Sequence, residues 1–287
     1  MPAPDAVLAT VWNALAGPWQ DGTVLRAFVE VALIGAVGGV LGCWIVLYGL
    51  SYGAESLAHA LFPGLVAAAL LGAPLVVGGA AGLVVAAVAV AAAGRVPRIG
   101  GDTAIAVVVT TMFGLGVLLA LSPTSPPGVG GLLFGDVLGL SDADLLLGLG
   151  LAVLVLAALR LLHGRLLAVG FDRGSARSLG AAPAIVDTAL LVLIAMAILV
   201  AVQGLGNLLV VAVLIAPAAT ARLLARRVAP MMVLSAALAV AAGIAGLYLS
   251  YYANTAGGAS IAGVMVVLYL GVLAATSLRP RIVSGHD

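Results

Sequence analysis

The chain has 287 residues, of which 64% are hydrophobic and only 8% charged, with a formal net charge of +1. Because soluble domains carry about 25% charged residues, this composition excludes a water-soluble globular protein and predicts a membrane protein. All 12 basic residues are arginines, so the chain lacks the lysine of a Walker A loop, and any ATP-driven step must use a second protein.

The apolar residues fall into runs of about 20, each long enough to cross a bilayer as a helix. They predict an all-α, polytopic transmembrane bundle with about nine spans, some of them discontinuous helices. The predicted spans lie near residues 24–50, 55–72, 74–94, 103–122, 141–161, 182–202, 206–224, 230–252 and 258–277.

Two short segments flank the transmembrane domain, which we place at residues 23–278. Residues 1–22 are predicted to be an extracytoplasmic segment with a helix lying at the membrane surface. The apolar residues of this helix follow helical spacing: Leu8, Val11, Trp12 and Leu15. Residues 279–287 are predicted to be a cytoplasmic tail.

The arginines predict the orientation of the chain in the membrane. They cluster at Arg95/Arg98, Arg160/Arg165/Arg173/Arg177, Arg222/Arg226/Arg227 and Arg279/Arg281. Two predicted spans separate each cluster from the next, so all clusters fall on one side, which the positive-inside rule assigns to the cytoplasm. We therefore expect a multi-pass protein of the plasma (inner) membrane with a cytoplasmic C-terminus and an extracytoplasmic N-terminus. Arg26 is the one discordant charge.

The segment YGAESLAHALFPG carries the strongest indication of a chemical function. Its Glu55 and His59 are spaced i, i+4, which puts a carboxylate and an imidazole on one helical face. This ligand pair suits a divalent ion such as Zn²⁺ or Mn²⁺, although a local hydrogen bond between the two is the alternative. Two ligands do not complete a metal site. Pro63 and Gly64 follow, and we expect them to break or kink the helix at the site.

Other polar groups within the spans have simpler interpretations. Glu30 is spaced i, i+4 from Arg26 and is expected to pair with it. Asp187 lies close enough to the cytoplasmic side to reach the interface. Pro217 predicts a kinked, discontinuous helix without indicating a ligand.

A predicted cytoplasmic loop at residues 163–180 mixes arginines with apolar residues. This composition is typical of a helix that docks on a soluble partner. An ordinary arginine-rich cytoplasmic loop is an equally good interpretation of the pattern.

Five motifs in order resemble one family, the membrane-spanning permease subunits of ABC importers for zinc, manganese and iron, called the ABC-3 family. The motifs are GVLGCWIVLYGLSYGAESLAHALFPG, DTAIAVVVTTMFGLGVLL, LLFGDVLGL, FDRGSARSLG and QGLGNLLVVAVLIAPAATARLLA. Two departures from the usual family pattern occur. Glu55 and Ala58 replace an aspartate and a serine, and YYANTAGGASIAGV near the end lacks the usual Asp and Pro.

The resemblance implies a permease of the type II importer kind, which works as a homodimer with two cytoplasmic ATPases and an extracytoplasmic metal-binding protein. It has no ATPase site of its own, no nucleic-acid partner and no tightly bound cofactor, and the transported ion is zinc or manganese, with iron possible. In the family, the positions of Glu55 and His59 lie on the metal path. The resemblance also implies that an ATPase-coupling segment contains Phe171, Asp172, Arg173, Ala176, Arg177 and Gly180.

Two other functions remain open at this point. Glu, Asp and His residues within the spans would also serve an ion-coupled secondary carrier or channel for a small cation. Such a carrier has no need of a docking element at 163–180. An ABC permease for a metal chelate would need no metal ligands of its own, so the Glu55–His59 pair argues against it.

Overall fold

A computed structural model describes residues 16–93, 101–123, 125–126, 128–139, 141–178 and 180–278. These residues form ten α-helices and no β-strand, so the predicted all-α fold is confirmed. The helices are α1 (Gly22–Tyr48), α2 (Ser51–Leu71), α3 (Leu75–Ala93), α4 (Gly101–Ala120), α5 (Asp142–Phe171), α6 (Arg173–Ser178), α7 (Pro183–Leu205), α8 (Val210–Leu224), α9 (Val228–Ala253) and α10 (Gly257–Ser277). Each of the nine predicted spans corresponds to one of these ten helices. The tenth, the short helix α6, corresponds to no predicted span.

Seven of the helices are long and apolar enough to cross a membrane: α1, α2, α4, α5, α7, α9 and α10. Two further apolar segments are shorter, Leu75–Val90 in α3 and Val210–Leu224 in α8. The length and composition of these helices agree with a multi-pass membrane protein. The predicted helix at Leu8–Leu15 and the predicted tail at 279–287 lie outside the described residues.

Helix α1 is the centre of the bundle and packs against α5, α7, α8 and α9. Glycines make this close packing possible on two of its faces. A Cβ atom on Gly42 would overlap the backbone carbonyl oxygen of Leu214 in α8, and one on Gly39 would overlap the backbone of Ala236 in α9. In membranes such small residues let helix backbones approach closely, where van der Waals contacts replace the hydrophobic effect.

A second group of helices positions the candidate metal ligands, since α2 packs against α3, α4 and α7. Gly64 of α2 lies against Gly78 of α3 so closely that a Cβ on either residue would overlap the other's backbone. On the next face, a Cβ on Gly116 of α4 would overlap Phe62 and press on Pro63. The Pro63–Gly64 pair is therefore a packing site between three helices.

Two motifs that are distant in sequence form one structure at the end of the bundle where α7 ends and α8 begins. The backbone N–H groups of Asn207 and Leu208 donate to the carbonyl oxygens of Leu132 and Leu133, at 2.9 and 3.1 Å. Gly206 adopts a φ of +82° at this contact, and a Cβ there would overlap the backbone of the other segment. The LLFGD segment is thus fixed to the turn between α7 and α8.

Two predictions about charged residues and helix ends were wrong. Helix α5 ends at Phe171 and not near 161, so much of the predicted loop 163–180 is helical. Arg26 pairs with Asp142, with 2.7 Å between its Nε and Oδ1 of the carboxylate, and not with Glu30. This partner neutralises the one discordant arginine.

Candidate functional site

Glu55 and His59 lie on the first turns of α2 and share one face, as their spacing predicts. Nε2 of His59 is 3.9 Å from Oε1 of Glu55, which is too long for a hydrogen bond. The Glu55 side chain is 56% exposed and the His59 side chain 25%. The pair is therefore open, with the carboxylate at the surface of the chain and the imidazole behind it.

The His59 ring is held in place by aromatic packing. Its centroid lies 4.6 Å from that of Phe113 in α4, and Phe113 in turn packs on Phe62 at 5.6 Å. Nδ1 of His59 is buried and has no hydrogen-bond partner among the described residues. The ring thus packs on Phe113 with Nε2 on the side of Glu55.

The described residues supply no complete metal centre. No group of three or more histidine, cysteine, aspartate or glutamate side chains in this part of the chain is arranged to hold a metal ion. A carboxylate and one imidazole give two ligands, whereas a closed zinc site needs four. The exposed carboxylate of Glu55 leaves room for further ligands to approach, such as water or a group from another molecule.

The predicted helix breaks at this site are not observed. Helix α2 runs without interruption through Pro63 and Gly64, and helix α8 runs through Pro217, which is buried. A proline removes one backbone hydrogen bond, and in a membrane bundle neighbouring helices compensate for that loss. The discontinuity lies instead between α7 and α8, where residues 206–209 form the turn that contacts the LLFGD segment.

The predicted coupling segment folds as the end of α5, a break at Asp172, and the short helix α6. Asp172 has an extended backbone, and its carboxylate accepts hydrogen bonds from the Gly174 N–H, at 2.8 Å, and from the Ser175 hydroxyl. The bonds from Ser175 and Gly174 lower the pKa of Asp172, so the charged form caps α6. Gly180 ends the segment with a φ of +80°.

Helix α6 presents one side to the bundle and the other to its surroundings. Ala176 is buried, whereas Phe171 is 83% exposed and Arg177 is also exposed. Arg173 is not free, because its guanidinium donates to both carboxylate oxygens of Asp187 in α7. The segment thus combines an anchored inner face with an apolar and cationic outer face.

Sequence reasoning missed the burial of Glu30 in α1. Its side chain is 2% exposed, and Oε2 has no hydrogen-bond partner among the described residues. It faces Gly148 of α5, and a small cavity beside it is also lined by Asp144 and Gln203. The i, i+4 spacing to Arg26 suggested an ion pair at the surface and did not indicate that Glu30 is buried.

The chain is similar to known proteins over most of its length. The model of the ABC 3 transport family matches residues 20–276. The manganese transport system membrane protein MntC of Listeria innocua is 31% identical over 255 residues, which cover 89% of this chain and 91% of the relative. The chelated iron transport system membrane protein YfeC of Yersinia pestis is 30% identical and is matched over 94% of both chains.

A solved structure has the same fold. The chain matches PsaBC from Streptococcus pneumoniae in complex with Fab, with a TM-score of 0.85 and 28% identity. The match covers 92% of this chain and 95% of the other. The similarity therefore extends over most of the chain.

Proposed function

The chain belongs to the ABC 3 transport family, and from this membership we propose that it is the membrane-spanning permease subunit of an ATP-driven importer for a divalent transition metal. The full-length similarity to membrane proteins of manganese and iron transport systems carries the proposal. Consistent with a separate ATPase, the sequence contains no lysine and hence no Walker A loop.

We propose that the metal passes the open pair of Glu55 and His59. An ion in transit needs ligands that bind weakly enough to release it, and one carboxylate with one imidazole meets that need. The 3.9 Å separation of their nearest atoms leaves an ion able to bridge them without disturbing α2. The proposed roles of Glu55 and His59 in binding the metal rest on the geometry of the pair and on its match to the family's motif.

A second copy of the chain is the proposed source of further ligands. The carboxylate of Glu55 is exposed, so it faces outward from the chain that carries it. Two-fold symmetry would bring two such pairs together and give four ligands in total. The variant Tyr52→Cys in a Cys43→Ser background tests this arrangement, because Tyr52 is 53% exposed on the same helix. Disulfide-linked dimers are expected, and their absence under oxidising conditions argues against α2 at the interface.

The proposed ATPase contact is the coupling segment, residues 171–180, through its exposed residues Phe171 and Arg177. Its anchored inner face would transmit motion of the ATPase to α7 through Arg173 and Asp187. An extracytoplasmic metal-binding protein is the proposed donor of the ion. Membership in the family supports both partners and the inner-membrane location, and the arginine clusters support a cytoplasmic C-terminus.

The relatives favour manganese or iron as the cargo, whereas a carboxylate–imidazole pair is also suited to zinc. We propose manganese as the first candidate. The test is uptake of radioactive Mn²⁺ in proteoliposomes that contain the permease and its ATPase, with competing Zn²⁺ or Fe²⁺. Strong inhibition by a small excess of Zn²⁺ would reassign the cargo to zinc.

The same preparation separates an importer from an ion-coupled carrier. An importer works with ATP when no ion gradient is present and is insensitive to a protonophore. Uptake that continues without ATP but collapses when the proton gradient is dissipated would overturn the proposal in favour of a secondary carrier.

A further inference from the structure

A lateral groove runs along α1 on the arginine-rich side of the bundle. Its floor is Val40 and Trp44 of α1, and Arg160 and His163 of α5 form one wall, with Met232 of α9 opposite. The cavity there is about 390 Å³. A second cavity of about 220 Å³ shares Trp44 and continues toward the end of α1. We call the two together the α1 groove.

The charged side chains that line the α1 groove are arginines. Arg160 and His163 are spaced i, i+3 and so lie on one face of α5, and Arg222 of α8 lines the second cavity. Neither arginine forms an ion pair with any residue that the structure describes. The two nearby carboxylates are already engaged, because Asp187 binds Arg173 and Asp172 caps α6. The groove therefore has positive charge without a protein counterion.

The depth of these residues matches a membrane interface. Arg160 and His163 are 18 and 21 residues beyond Asp142, where α5 begins, which places them about 27 and 32 Å along the helix. The hydrocarbon core of a bilayer is about 30 Å thick. With Asp142 at one edge of the hydrocarbon core, Arg160 and His163 lie at the other edge, from which the long Arg160 side chain can extend toward the lipid phosphates.

The rest of the first cavity is apolar. Leu156 and Leu159 of α5 line it together with Val40 and Met232, and its polar groups are confined to Arg160, His163 and the indole of Trp44. A ligand that fits must combine an anionic group with a hydrocarbon chain. Arginine suits phosphate because its planar guanidinium donates two parallel hydrogen bonds to phosphate oxygens.

We propose that the α1 groove binds an anionic phospholipid, with its phosphate at Arg160 and His163, an acyl chain along Val40 and Met232, and Arg222 in the adjoining cavity adding positive charge. Basic pockets between transmembrane helices recognise anionic headgroups in this way. Such a lipid would bridge α1, α5, α8 and α9 beside the coupling segment. The site is separate from the proposed metal path on α2.

The test is native mass spectrometry of the full-length chain, purified in detergent and incubated with equal amounts of phosphatidylglycerol and phosphatidylcholine. We expect phosphatidylglycerol to be retained at least fivefold better by the wild type than by the Arg160→Gln, Arg222→Gln double variant. Arg165→Gln is the matched control, because Arg165 lies on the same helix but lines neither cavity. Arg160→Lys keeps the positive charge at this position, so this variant should retain part of the phosphatidylglycerol that the double variant loses.

A second measurement does not use the double variant. In a Trp12→Phe, Trp19→Phe background, Trp44 is the only tryptophan left, and brominated phosphatidylglycerol should quench its fluorescence more strongly than brominated phosphatidylcholine. Equal quenching by both lipids, or equal retention in the double variant and the Arg165→Gln control, would overturn the proposal. Release of the lipid by millimolar inorganic phosphate would reassign the groove to free phosphate.

Discussion

The guanidinium of Arg173 donates to both carboxylate oxygens of Asp187, at 2.8 and 3.1 Å. Arg173 is the first residue of α6, and Asp187 lies in the second turn of α7. The bidentate geometry fixes the orientation as well as the distance between the two helices. A short exposed helix is thus tied directly to a membrane-spanning one.

This link predicts a defect in coupling and not in folding. Both side chains are partly exposed, so Arg173→Asp or Asp187→Arg should change the free energy of unfolding by only about 1 kcal/mol. Either variant should lower the transport-coupled ATPase rate severalfold. The double variant, which reverses the pair, should restore the rate. A double variant no better than the two single ones would show that the ion pair is not the link.

Gly180 supplies a second prediction about the coupling segment. Its φ of +80° is unfavourable for other residues, although no neighbouring atom lies within 4 Å of a Cβ built there. Gly180→Ala should therefore cost about 1 kcal/mol through backbone strain alone. Gly164→Ala is the matched control: Gly164 is helical and equally unobstructed, so alanine there should be neutral or stabilising. Thermal melting compares the two, and equal melting temperatures would contradict the assigned strain.

A substitution at Glu30 is predicted to change the stability of the protein and to leave its transport intact. An enclosed carboxylate with an unpartnered oxygen is costly in a membrane bundle. Glu30→Gln keeps the shape and removes the charge, so the melting temperature should rise and transport should continue. Glu55→Gln is the contrasting variant, because its exposed side chain predicts unchanged melting but lost transport. A lower melting temperature in Glu30→Gln would indicate that the ionised carboxylate has a partner.

The apolar periodicity predicted the nine apolar helices because a bilayer requires long, continuous hydrophobic segments. It misjudged the end of α5, since Arg160, His163 and Arg165 marked the interface while the helix itself continues to Phe171. Helices need not end where the membrane does. Pro63 and Pro217 do not break their helices, because neighbouring helices compensate for the backbone hydrogen bond that each proline removes.

Contacts between residues that are far apart in the sequence could not be predicted from its local patterns. Arg26 and Asp142 are 116 residues apart, and only the packing of α1 on α5 brings them together. The Glu55–His59 pair could be predicted because its two residues share one helix. The packing of Phe113 against His59 could not, since it depends on how α4 crosses α2.

The proposed metal site should be weak and should not stabilise the fold. Each chain offers one carboxylate and one imidazole, and the four ligands of two copies meet only between separately folded chains, whereas structural zinc sites use four protein ligands and contribute to folding. The purified permease should contain far less than one metal ion per chain, and EDTA should leave its melting temperature unchanged. A stoichiometric ion that resists EDTA, or a melting temperature that collapses in EDTA, would identify a structural site.

The most direct test of the transport assignment is uptake of radioactive Mn²⁺ by cells that carry the complete importer with Glu55→Gln or His59→Gln. Both variants should be present in the membrane at the wild-type level, because these side chains are partly exposed and form no hydrogen bond with each other. We expect each to reduce the initial uptake rate at least tenfold, while Glu30→Gln retains it. Wild-type uptake by both the Glu55→Gln and the His59→Gln cells would contradict a metal path along this face of α2.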